Sequence, residues 1–162
     1  MRNSISLLLL GLTFFFVSCD STGVFDVYQS LPDTWSKDHV VAFKVAAPDT
    51  TNKYNMFVNL RNNQDYKYNN LFIIVEINFP HGKTIKDTLE YKMAKPNGEF
   101  LGTGFSSIKE NKLWYKEDFI FTEMGEYQIN IEQAMRENGK VHGVKDLEGI
   151  TDVGLRIEKQ MN

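Results

Sequence analysis

Residues 71–79 (LFIIVEINF) constrain the fold of this chain more than any other stretch. Leu71, Ile73, Val75, Ile77 and Phe79 recur with a period of two, which puts them on one face of a strand. The other face is apolar at Phe72 and Ile74 but polar at Glu76 and Asn78. One end of the strand is therefore expected to be covered on both sides, as in a central strand. Pro80-His81-Gly82-Lys83 reads as a hairpin turn. Residues 84–93 then return with Ile85, Leu89, Tyr91 and Met93 inward. Asp87 interrupts that apolar face and is expected near the hairpin end, where water reaches it.

The same period recurs in residues 40–46 (VVAFKVA), 54–60 (YNMFVNL), 113–121 (LWYKEDFIF), 126–132 and 150–158. Turn signals fall every eight to twelve residues or so and no long amphipathic helix intervenes, the pattern of a β-sandwich. One helical turn is expected at 106–112 and a short helix at 133–138. Long loops at 61–70, 94–112 and 133–149 favour a jelly roll over an immunoglobulin-like arrangement. The expected fold is all-β: a single antiparallel β-sandwich over residues 37–162, with Trp35 docked on its edge.

The chain opens MRNSISLLLLGLTFFFVSC. Arg2 precedes an apolar core of about 11 residues, too short for a membrane-spanning helix, which needs about 20. Residues 1–18 therefore read as a signal peptide. Small Ser18 followed by Cys19 reads as a lipobox, with Phe16 in place of the usual leucine. Cys19 then becomes the lipidated first residue, and acyl chains such as palmitate hold the domain on a membrane. It is the only cysteine, so an internal disulfide is excluded. Residues 19–36 read as a lipidated tether. A net charge of −3 argues against nucleic acid, which demands clustered cations.

Signs of catalysis are weak. His39, His81 and His142 stand apart in charged or turn contexts and suggest no metal site. Ser106 lacks a nucleophile elbow, and Gly102-Thr103-Gly104 lacks the lysine and helix of a phosphate loop. That loop instead reads as one that needs positive φ. Glu117-Asp118 and Asp146/Glu148 read as solvated carboxylates. Asp146, Glu148 and Asp152 lack the pattern of a calcium loop. No cofactor is expected.

Aromatic residues cluster at loop ends: Tyr54, Tyr66, Tyr68, Phe100, Phe105, Trp114 and Tyr115. Trp114 is expected in the core. Tyr66, Tyr68, Phe100 and Phe105 form a candidate interaction surface, for a protein or for sugar rings.

The segments FVNLRNN, LFIIVEINFPHGKTIKDTLEY, MAKPNGEFLGTGFSSIKENKLWYKE, EQAMR and GITDVGLRIEK together resemble the GldH family of gliding-motility lipoproteins of Bacteroidetes. The resemblance covers nearly the whole chain after Cys19. It implies a non-catalytic envelope lipoprotein of gliding and its associated type IX secretion machinery, with envelope proteins of that apparatus as partners. Cys19 alone carries over as a functional position. The run DSTGVFD lacks the acidic cluster of a surface-export signal, so the domain is expected to face the periplasm. The alternative is a glycan- or peptidoglycan-binding module that reads sugars with its loop aromatics.

Overall fold

The computed structural model describes residues 22–104, 106–136 and 142–161. The period-two patterning becomes ten strands: β1 (Gly23–Ser30), β2 (Thr34–Ser36), β3 (Val41–Ala46), β4 (Tyr54–Asn62), β5 (Asn70–Asn78), β6 (Thr84–Lys92), β7 (Lys109–Phe119), β8 (Glu126–Gln133), β9 (Asp146–Glu148) and β10 (Ile150–Lys159). Two four-stranded antiparallel sheets, β1-β10-β4-β7 and β3-β8-β5-β6, face each other, and a small ribbon pairs β2 with β9. Without that ribbon, the first strand pairs with the last and consecutive strands mostly alternate between sheets. This is the winding of a jelly roll.

The inward faces match the alternation. Val41, Phe43 and Val45 of β3 meet Met56, Val58 and Leu60 of β4, Ile73 and Val75 of β5, Ile129 and Ile131 of β8, and Val153 and Leu155 of β10 in one core. Each such side chain contributes about 1.5–3 kcal/mol by leaving water. β5 is central, with β6 on one side and β8 on the other. One end of the sandwich is closed by Tyr54, Phe79, Phe119, Phe121 and Tyr127, whose rings meet at 4.9–6.5 Å. Trp35, Tyr66 and Leu147 close the other.

Several expectations change. The sandwich begins at Gly23, not at residue 37, because β1 pairs with β10 from Gly23–Glu158 to Ser30–Asp152. β1 is an edge strand whose Val24 and Val27 stay exposed, so it carries no clean apolar alternation. Trp35 is fully buried in β2 rather than docked on an edge, and its indole Nε1 donates to the His39 carbonyl at 3.0 Å. No described residue is helical. In place of the turn expected at 106–112, Thr103 and Glu110 exchange two backbone bonds of 2.8 Å and β7 starts at Lys109. A hairpin supplies those backbone groups with partners that one isolated helical turn would leave open. Likewise Gln133 ends β8, and Arg136 bridges to Gly143. Asp87 relies on protein partners, with Tyr115 Oη donating at 2.9 Å and Lys116 Nζ at 2.8 Å.

Candidate interaction surface

The first aromatic site lies at the end of the sandwich that carries the β4–β5 loop. Tyr66 is only 3% exposed, and its hydroxyl donates to the Asn70 carbonyl at 2.6 Å. Burial raises that hydroxyl well above the ordinary tyrosine range. Half-buried Tyr68 meets the Tyr66 ring edge-on at 5.8 Å, and half-buried Phe100 lies 6.4 Å from it. The structure thus brings these three together, but Tyr66 is a floor and offers no face to a ligand. Phe105 and Cys19 lie outside the described residues. Gly149 makes the floor possible. Its φ is +83°, and a Cβ there would stand 2.1 Å from the Tyr66 nitrogen. In the glycine loop, Gly104 adopts positive φ but Gly102 does not.

The other sequence candidates stay dispersed. Glu148 pairs with Lys67, and Asp118 with Lys53 at 2.8 Å. His81 Nδ1 lies 3.0 Å from Glu123. Among the described residues, no group of three or more His, Cys, Asp or Glu could hold a metal ion.

The second aromatic site is on the outer face of the β1-β10-β4-β7 sheet. Alternation sends Trp114 outward between inward-facing Leu113 and Tyr115, so it is 54% exposed and not in the core. Register places it opposite Phe57 of β4, with ring centroids 4.5 Å apart. Phe57 also points outward, yet it is buried because Trp114 and Lys112 cover it. The Lys112 ammonium sits 4.0 Å from the Phe57 ring centre, a cation–π contact.

Around this pair the charges are cross-linked. Lys112 reaches Glu158 at 2.7 Å, and Arg156 bonds both Glu158 and Asp26. Burial pushes the Glu158 carboxyl up, but the bonds from Lys112 and Arg156 outweigh it and hold it below the ordinary range. Farther along the sheet, Glu110 accepts from Tyr28 Oη at 3.0 Å and from Arg61 Nε at 2.9 Å. Arg61 also lies 4.3 Å from the Tyr28 ring centre. Burial, and then the Glu110 contact, raise the Tyr28 hydroxyl to about 12. Asn59, buried beneath this lattice, has an Oδ1 without a hydrogen-bond partner. Paired carboxylates and a tyrosine held protonated suit recognition better than acid–base work. The sequence signal for Trp114 was its position between two inward residues; that for Phe57 required the β4–β7 register.

The profile of GldH lipoproteins matches residues 23–157, starting at the first residue of β1. The chain belongs to the GldH lipoprotein family. The gliding motility lipoprotein GldH homolog of Christiangramia forsetii is 54% identical over 163 residues, covering 100% of both chains. The gliding motility lipoprotein GldH of Flavobacterium johnsoniae is 54% identical over 160 residues, covering 99% of this chain and 98% of that one. These GldH relatives therefore match the sandwich and the segment preceding it. The infectious bursal disease virus VP2 subviral particle is 15% identical with a TM-score of 0.37, covering 91% of this chain and 36% of that one. At that score the likeness carries no argument.

Proposed function

We propose that this chain is a non-catalytic lipoprotein component of gliding motility and its associated secretion machinery. A lipid on Cys19 anchors it, the domain faces the periplasm, and it docks an envelope protein of the gliding apparatus. The names of both GldH relatives support the motility role. The observation that carries the docking role is Trp114: a large, half-exposed aromatic on an open sheet face, backed by Phe57 and ringed by paired charges. Trp, Tyr and Arg dominate the energetics of protein interfaces, and paired charges around them form a polar rim. Tyr66 adds nothing directly, since it is buried; Tyr68 and Phe100 present partial faces at the far end.

The test is a pull-down from gently solubilised envelopes with the tagged lipoprotein and with Trp114→Ala. The expected result is recovery of an envelope protein by the parent and its loss by the variant. Recovery of none by the parent would overturn the reading. Trp114 also favours a glycan-binding alternative, because an exposed indole can stack on a sugar ring. Co-sedimentation with peptidoglycan that depends on Trp114 or Phe100 would establish that alternative instead.

A further inference from the structure

We propose that the end of the sandwich opposite Tyr66 seats directly on the bilayer, with Ile120, Met124 and Met161 entering its headgroup layer. The inference rests on lipidation of Cys19. Its first support is chain length. The Thr22 carbonyl accepts a bond from the Lys159 nitrogen at 2.9 Å, so the chain is fixed to the sandwich there. Only Asp20 and Ser21 lie between Thr22 and Cys19. Three extended residues reach about 11 Å. The headgroup region on each side of a bilayer is roughly 5–8 Å thick. A lipid on Cys19 therefore leaves this end little room to stand off.

The second support is what the fold gathers at that end. The pairings Gly23–Glu158, Tyr54–Lys159, Tyr54–Phe119, Ala46–Glu126 and Asn78–Thr84 bring the β3–β4, β5–β6 and β7–β8 turns beside the start of β1. Ile120 and Met124 lie in the β7–β8 turn, and Met161 follows β10. Met161 at 80% and Met124 at 61% exceed the exposure of every other large hydrophobic residue described. Water is a poor place for them, and flexible thioether side chains adapt well to an irregular apolar layer.

The polar groups fit the same surface. An open groove of about 530 Å³ beside Thr22 is lined by Asn52, Lys53, Lys159 and Gln160, with Met161 at its rim. Its Asn52 and Gln160 amides and the Lys159 ammonium suit lipid headgroups. The nearby acids Asp49, Asp118 and Glu123 are engaged within the protein, by Tyr54 and Asn52, by Lys53 and by His81. Of these, Asp118 has its charge offset by a cation, which lessens its repulsion of a membrane surface.

The test uses the lipidated chain in phosphatidylcholine vesicles. Acylation leaves no free thiol on Cys19, so Met124→Cys, Ile120→Cys and, at the far end, Leu101→Cys each take one environment-sensitive fluorophore. Far-ultraviolet circular dichroism matching the parent's checks that each variant folds. The expected result is blue-shifted emission at 124 and 120, with iodide quenching severalfold weaker than at 101. Equal quenching at both ends of a chain that floats with the vesicles would overturn the seating alone. A chain that fails to float would overturn the lipoprotein reading, and the seating with it.

Discussion

Gly149 and Tyr66 show how one backbone position can hold an aromatic floor. Adding a Cβ at Gly149 strains a positive φ and drives that atom into the Asp65–Tyr66 backbone. Gly149→Ala is therefore expected to lose about 3 kcal/mol or more, read as a shift of the urea midpoint. Asp87 is a second sensitive residue. Burial alone would raise its carboxyl, but the bonds from Lys116 and Tyr115 win and lower it. A lowered value in the folded state stabilises the protein above the unfolded aspartate value of about 3.9. That contribution disappears as pH falls through the folded value. Asp87→Asn should therefore cost about 1 kcal/mol at pH 7 and progressively less below about pH 4, measured by urea unfolding across pH.

At the scale of elements, β5, β8 and β10 were legible because each buries one face, and β6 because half-buried and exposed residues alternate along it. β1 was not. Its partner is β10, more than a hundred residues away in sequence, and its exposed edge blurs the apolar pattern. The candidate site was legible only in part. Tyr66, Tyr68 and Phe100 do meet, but the burial of Tyr66 depends on remote Gly149. The Phe57–Trp114 pair depends on a β4–β7 register that shifts twice between Tyr54 and Phe57. The two tryptophans should separate cleanly. Trp35→Ala empties a fully buried site and is expected to cost about 3–5 kcal/mol. Trp114→Ala uncovers Phe57 and is expected to cost about 1 kcal/mol. Acrylamide quenching of the two single-tryptophan variants checks the exposures independently.

For the whole molecule, the jelly-roll winding ties its two sheets together through crossing connections, so removing one strand affects both. β10 shows this most plainly: it lies between β1 and β4 and, among the described residues, is the only strand that forms a backbone ladder with β1. A chain exported amino end first delivers its anchor first and β10 last of the ten strands. Until β10 arrives, β1 has no ladder, and on the proposed anchoring at Cys19 the membrane would hold an open, half-wound sheet. Truncation after Gly149 should therefore leave β1 accessible to protease even if the β3-β8-β5-β6 sheet persists. The strand that follows the proposed anchor is thus the one whose only ladder waits for the far end of the chain.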